Sequence, residues 1–498
     1  MASNARSTWT DLALAERTVP RYTSYPTALH FKPEISAATY ADWLAALPSD
    51  AALSLYLHVP FCAEMCSYCG CHTKVVRRRE PVDRYLARLL AEIDLIADLT
   101  PARAVRRLHW GGGTPTMLGV ESMAEVVARL ARRFDFTRVS EHAVELDPRH
   151  VDDAIARGLA GMGVTRASLG VQDFNPHVQR AIGRTQPFEM VARTVDALRE
   201  AGIAAINMDL MYGLPEQSEH DLERSIARAL TLAPSRIALF GYAHVPWFKT
   251  HQRLIAESAL PGAEARLAQA RAAFDAFTAA GYEAIGLDHF ARADDPLAAA
   301  AREGRLHRNF QGYTDDEADA LIGLGASAIG RLPQGFVQNA PDFGAYYRTI
   351  DAGRLATVRG YALSPEDKLR GDAIAQLMCQ GSVDLAELAH THGADPSFFD
   401  EDLAKLDELA AYGMVERDRR AVRITEDGRP FLRLAPAVFG GQCMAPSPHS
   451  PAGLSRYCGE DLAPDRCSVN CSSRLRWRSG LKLSSDMSVM TVSPPGAV

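Results

Sequence analysis

Lysine is almost missing from this 498-residue chain: six, at positions 32, 74, 249, 368, 405 and 482, stand beside 48 arginines. The net charge is −7 and the pI near 6.1, so the basic excess that a polyanion partner requires is absent and nucleic acid is excluded as the main ligand. Long apolar runs are lacking as well. No stretch approaches the roughly 18 residues of a membrane span, and the first fourteen residues are broken by Asn4, Arg6 and Asp11, so neither a membrane segment nor a secretory signal is expected. The cytoplasm is the expected compartment. Cysteine is sparse, nine in all, which excludes a disulfide framework. Four cysteines nevertheless fall within ten residues, at 62, 66, 69 and 71; four more lie at 443, 458, 467 and 471, leaving Cys379 alone.

From Leu53 to about Gly286, short β-branched or aliphatic runs alternate with helical patterns, the mark of βα units around a parallel sheet. Strands are expected at 53–59, 104–110, 142–147, 165–171, 204–210, 236–243 and 282–286, with helices at 82–98, 121–133, 151–161, 189–201, 218–232 and 263–279. Six or seven units are too few for a closed eight-fold barrel, so the expected fold is an open, partial TIM-like barrel. The unusual residues sit where those strands end. The cysteine loop follows the first strand and Gly111-Gly112-Gly113-Thr114-Pro115 the second. Glu145 and Asp147, Gln172-Asp173, Asp209 and Tyr242-Ala243-His244 end the next four. Carboxyl ends of parallel strands converge on one face, so one pocket accounts for all of them.

Cys62-Ala-Glu-Met-Cys66-Ser-Tyr-Cys69 is CxxxCxxC. Iron–sulfur cubanes are normally held by four cysteines, so a three-thiolate loop leaves one iron open. There the amino and carboxylate groups of S-adenosylmethionine (SAM) can chelate, which places the sulfonium for one-electron cleavage to a 5′-deoxyadenosyl radical. A zinc site would call for paired spacings that do not occur nearby. Three glycines in a row allow a backbone to approach a ligand closely, offering its N–H and C=O groups to the amino-acid end of SAM. Glu145 is a candidate acceptor from SAM hydroxyls or its amino group, and Tyr68 a candidate packing partner for adenine.

The run from Tyr56 through Cys71 resembles the cluster loop of the oxygen-independent coproporphyrinogen III oxidases, which carry CxxxCxxCxC. Arg21–Thr27, His109–Thr116, Glu145–Arg149, Gly170–Phe174, Asp209–Pro215 and Arg359–Leu363 resemble further motifs of that family, together covering about 17–439. The resemblance implies a [4Fe-4S] cluster on Cys62, Cys66 and Cys69. It also implies one SAM contacted by Tyr56, Gly112, Glu145 and Ile329, and a second by Tyr68, Gly113, Thr114, Gln172, Arg184, Asp209 and Ala243. The implied reaction is oxidative decarboxylation of two propionates of coproporphyrinogen III to the vinyls of protoporphyrinogen IX. An electron donor would reduce the cluster and a separate acceptor would take the released electrons. Arg21 is a candidate partner for substrate carboxylates, and His58 and Cys71 are candidates for a role in the reaction. The alternatives are a haem-binding or trafficking relative without oxidase activity and a radical SAM methyltransferase. Cys71 and the segment around Arg21–Thr27 favour the oxidase. A monomer is expected.

The chain divides into an N-terminal substrate-covering segment (1–50), the partial barrel (51–350), a small mainly α C-terminal domain (351–439) and a tail (440–498). The small domain, with helices near 365–379, 383–390 and 400–412 and a hairpin at 414–424, has the outline of a winged helix. Between 363 and 435, however, 15 acidic residues outnumber 9 basic ones, which argues for a lid or docking role over DNA binding. The tail, with eleven serines and no apolar period, reads as disordered or aberrant, as a shifted reading frame would produce.

Overall fold

Strands β1 (Ala52–Val59), β2 (Ala104–Gly112), β3 (Glu141–Leu146), β4 (Arg166–Gln172), β5 (Ala205–Tyr212) and β6 (Arg236–Gly241) lie side by side in chain order, each parallel to the next. The computed structural model describes Leu14, Arg17 and residues 19–441; the expectations for the extreme N-terminus and for the tail beyond Gly441 lie outside these residues. Helices α1 (Arg79–Leu99), α2 (Val120–Arg133), α3 (Asp153–Gly161), α4 (Phe188–Glu200), α5 (Glu219–Thr231) and α6 (Ala263–Ala279) follow the six strands in turn. All six lie within two or three residues of the periodicity-based expectation.

Both edges of the sheet go beyond that expectation. The seventh strand forms as β7 (Tyr282–Ile285), but β8 (His289–Arg292) turns back antiparallel and inserts between it and β6. The true seventh parallel neighbour lies on the other side of β1, as β9 (Ala320–Leu324). The antiparallel β10 (Ile329–Leu332), β11 (Gly335–Asn339) and β12 (Thr357–Ala362) then extend that edge. The twelve strands run β12-β11-β10-β9-β1-β2-β3-β4-β5-β6-β8-β7, and the two ends do not pair, so the barrel is open.

Strand alternation sorts the residues of β1. Leu53, Leu55, Leu57 and Val59 are buried on the helix side, in one core with Val82, Tyr85, Leu89, Ile93 and Ile96, which α1 presents at helical spacing. Ser54, Tyr56 and His58 therefore face the concave side. Its floor is an ion network: Arg107 meets Glu141 (3.1 Å) and Asp315 (2.8 Å), Arg166 meets Glu141 (2.7 Å), and Arg236 meets Asp295 (2.7 Å). Burial would raise the Glu141 carboxyl, but Arg236, Arg166 and Arg107 hold it down at about 2. Removing one arginine would leave these buried carboxylates short of charge, a loss of up to about 3–5 kcal/mol that the remaining arginines on Glu141, Asp295 and Asp315 reduce.

The C-terminal part has helices Pro365–Gln380, Leu385–Thr391, Asp400–Lys405 and Asp407–Ala411. The expected hairpin, Val415–Asp418 with Ala421–Ile424, gains a third strand at Ser382–Asp384. Leu14 and Tyr22 enter the core of this part beside Leu369, Leu377 and Phe431. Further along, Phe31 stacks on Phe336 and Lys32 exchanges backbone hydrogen bonds with Gly360 of β12 (2.6 and 2.9 Å). The N-terminal segment thus runs from the small domain to the sheet edge. No described helix is long and apolar enough to cross a membrane.

Glu92 is an acid buried on the core face of α1. It accepts from the Gly325 N–H (2.7 Å), the Tyr346 hydroxyl (2.7 Å) and Asn339 Nδ2 (2.6 Å), which ties α1 to the segments after β9 and β11. Burial lifts its pKa from 4.5 to about 7 in spite of these donors. Between those values the folded state keeps a proton that the unfolded chain has lost, so Glu92 makes folding less favourable as pH rises through that window. The melting-temperature difference between wild type and Glu92→Gln should therefore move against the wild type between pH 5 and 8; a difference independent of pH would contradict this assignment.

Candidate active site

The four clustered cysteines lie on the loop that leaves β1, where Phe61–Cys62 forms a short parallel pair with Lys74–Val75. Each of the first three sulfurs meets a different kind of donor. Cys62 Sγ lies 3.1 Å from Thr73 Oγ1 and 3.7 Å from Thr114 Oγ1. Cys66 Sγ receives Arg184 Nη1 at 3.5 Å and Arg149 Nη2 at 3.7 Å. Cys69 Sγ accepts from the backbone N–H of Cys71 at 3.4 Å. The Cys69 thiol is held down at about 6 by its hydrogen bond with Cys71, against burial, whereas burial raises that of Cys62. Among the described residues, no three His, Cys, Asp or Glu side chains converge as a single ion would require. Three thiols on one loop are the donor set that a four-iron cluster with one open iron takes.

The glycine run fastens this loop. The N–H of Gly113 donates to Val59 O (2.8 Å), that of Thr114 to Phe61 O (2.7 Å) and that of Gly112 to Glu145 Oε2 (3.2 Å). These three amides thus bond within the chain. The approach is close enough that side chains are excluded. A Cβ would stand 2.7 Å from Glu145 Oε1 at Gly111, 2.7 Å from the His58 ring at Gly112, and 2.5 Å from Phe61 O at Gly113; Gly112 also has a φ of +111°.

Around the run, the strand ends converge as the βα reading requires. His109 donates to Glu145 Oε1 (3.2 Å) and stacks on Tyr56 (5.8 Å between centroids). The buried His58 ring has its pKa lowered by burial to about 4, so it is neutral. Its Nε2–H donates to His72 O (3.1 Å), which leaves Nδ1 to accept from the Tyr56 hydroxyl (3.1 Å). Glu145 and Asp209 line one cavity of about 260 Å³ above the ionic floor. Burial and then the charge of Glu145 raise the Asp209 carboxyl to about 6, while Ser168 and Asn207 donate to it. Gln172 occupies a bulge between β4 and β5 with a left-handed φ of 67°. Ile329 packs beside Phe31 and Phe336, and its carbonyl lies against Gly323, the residue that pairs with Tyr56. Ala243 follows the end of β6, and Tyr68 packs on Val178, Ile182 and Tyr242. Cys71 is exposed.

Arg184 is a core residue rather than a surface charge, 7% exposed. Arg21 stands apart from the rest. Its Nη2 lies 3.4 Å from Gly241 O, in a cavity of about 350 Å³ between α6, the β6–β8 edge and the small domain's Arg429 and Arg433; His289 borders both cavities.

Two groups of residues escaped the sequence reading. Arg149 belongs to the Glu145–Arg149 motif by sequence, but only the structure turns its guanidinium onto Cys66. The loop after β6 sends Lys249 Nζ to Cys71 O (3.0 Å), His251 Nε2 to Cys69 O (2.7 Å) and Gln252 Nε2 to Tyr68 O (2.8 Å). Isolated polar residues in a loop carry no signal of such a strap.

Residues 56–229 match the Radical SAM superfamily and 363–431 the HemN C-terminal domain. The oxygen-independent coproporphyrinogen III oxidase of Bradyrhizobium diazoefficiens is 50% identical over 432 residues, 86% of this chain and 96% of that protein. Its namesake from Escherichia coli K12 is 39% identical over 429 residues, 85% of this chain and 93% of the relative. The solved structure of the Escherichia coli coproporphyrinogen III oxidase HemN, described as a radical SAM enzyme, superimposes with a TM-score of 0.82 at 38% identity, covering 86% and 98% of the two chains.

Because a Cβ at Gly113 would collide with the Phe61 carbonyl, Gly113→Ala should lower the iron content of anaerobically purified protein at least five-fold with helix content intact by circular dichroism. Gly161→Ala, at the end of α3 with open space around it, should leave iron content unchanged.

Proposed function

This chain belongs to the oxygen-independent coproporphyrinogen III oxidases, and from that membership we propose that it converts coproporphyrinogen III to protoporphyrinogen IX, turning two propionates into vinyls without oxygen. The relatives named above favour the oxidase and give the haem-trafficking alternative no support. Radical SAM proteins carry a [4Fe-4S] cluster and SAM, which together supply a 5′-deoxyadenosyl radical able to take the propionate β-hydrogen.

In this proposal Cys62, Cys66 and Cys69 hold three irons, and the supporting observation is that each sulfur has its own donors on a loop clipped to the glycine run. Tyr56, Gly112, Glu145 and Ile329 bind the SAM at the open iron. Tyr68, Gly113, Thr114, Gln172, Arg184, Asp209 and Ala243 serve a second SAM. Glu145 is pre-set by His109 and the Gly112 amide, so it binds without reorganising. His58, neutral and with both nitrogens engaged, keeps the Tyr56 hydroxyl in place and is poorly suited to giving up a proton. Arg21 receives a substrate carboxylate from the cavity that it lines beside Gly241, and residues 1–50 cover the bound substrate. A monomer in the cytoplasm, supplied by an external electron donor and relieved by an external acceptor, completes the reading.

The test is anaerobic reconstitution with iron and sulfide, then incubation with SAM, a reductant and coproporphyrinogen III while CO2, protoporphyrin fluorescence and 5′-deoxyadenosine are followed. Wild type should form all three. Cys62→Ser, Cys66→Ser and Cys69→Ser should each lose iron and at least a thousand-fold in deoxyadenosine formation, while Cys71→Ser keeps its iron. Deoxyadenosine without CO2 would reject the substrate and keep the radical chemistry.

A further inference from the structure

The donors around the three sulfurs are unequal in charge. Cys62 meets two neutral hydroxyls and Cys69 a backbone amide, whereas Cys66 alone faces two guanidinium groups. Those groups are locked in place. Asp147 bridges them, 3.1 Å from Arg184 Nη1 and 2.7 Å from Arg149 Nη2, and the three side chains are 8–10% exposed. Arg184 is fixed further by Gly170 O on Nη2 (2.7 Å) and Gln186 Oε1 on Nε (3.1 Å). Of its five N–H groups, four are engaged within the chain, leaving one Nη2 proton for any other ligand. Arg149 also meets Glu64 of the cysteine loop at 2.9 Å. The loop is held against this pair by the Ser67 N–H, which donates to Ile182 O (2.9 Å) two residues before Arg184.

We infer that Arg184 and Arg149, bridged by Asp147, set the reduction potential of the cluster by donating hydrogen bonds to the sulfur of one of its three cysteines. The inference rests on Cys66 being a cluster ligand, as proposed above. Hydrogen bonds to a ligating sulfur, together with nearby positive charge, stabilise the more negative reduced state, so they raise the potential. Of the two carboxylates that meet these cations, Asp147 is buried and Glu64 is 66% exposed, where water screens it, so the buried trio of Arg184, Arg149 and Asp147 keeps positive charge beside Cys66. Lys249 and His251 approach Cys69 only by way of the loop's carbonyls, so Cys66 is distinguished by the direct guanidinium hydrogen bonds. Arg184 and Arg149 are positioning residues in this role, acting through Cys66.

The experiment is an EPR-monitored redox titration of the full-length, anaerobically reconstituted chain without substrate or SAM. In Arg184→Gln and Arg149→Gln the midpoint should move negative. At a fixed poise the ratio of reduced to oxidised cluster should fall about ten-fold in the Arg184 variant, ~59 mV for a one-electron couple, with a smaller fall in the Arg149 variant. Arg184→Lys, which restores the charge without the fork, should recover about half of the shift. Unchanged midpoints in iron-replete glutamine variants would overturn the inference. Should those variants fail to hold iron, Arg184→Lys and Gly170→Ala decide. A Cβ at Gly170 would stand 3.3 Å from Arg184 Nη2 and 3.0 Å from Gln172 Nε2, so wild-type midpoints in both would equally overturn it. Full iron content in Cys66→Ser would instead strike at the ligand assignment itself, a separate outcome.

Discussion

Two stretches of backbone meet at the mouth of this barrel so closely that a Cβ on one of them would collide with the other. The glycine run at the end of β2 presses on the start of the cysteine loop, and two amide–carbonyl hydrogen bonds, Gly113 to Val59 and Thr114 to Phe61, seal the contact. The sulfur positions, the placement of Glu145 against Gly112 and the seating of His58 against the same glycine all depend on this approach. A Cβ at any of the three positions would press on a different one of those neighbours. Three consecutive glycines thus serve three distinct contacts.

The arginine excess has a structural counterpart. At the floor, Arg107, Arg166 and Arg236 each bridge more than one carboxylate; at the mouth, Arg149 and Arg184 share Asp147. A planar fork meets two acceptors in fixed directions, which a lysine ammonium does not. The barrel interior is therefore polar at both ends, with its apolar core on the outer, helix-covered side.

The six βα units were legible because periodicity and chain order carry them: strands alternate every second residue, helices bury one face, and parallel neighbours follow one another. The region from β8 to β12 was not, since its strands are short, several are antiparallel, and β9 pairs with β1 across more than 250 residues of intervening chain. The site divides the same way. Strand-end residues such as Glu145, Gln172 and Asp209 were readable from their positions, and the cysteine spacing announced itself. Arg149 and the strap residues were not, because a loop side chain's direction depends on packing that no local pattern encodes. Arg184 was assigned from resemblance alone, and only the folded arrangement turns it toward Cys66.

The strap from Val245 to Leu254 touches the cysteine loop through side chains of its own but through carbonyls of the loop. Every residue type presents the same carbonyl, so this grip is blind to what the loop residues are. Tyr68, Cys69 and Cys71 could each be exchanged without releasing it. Drift in the loop's side chains is thereby separated from drift in its shape, whereas the strap's lysine, histidine and glutamine have no such freedom.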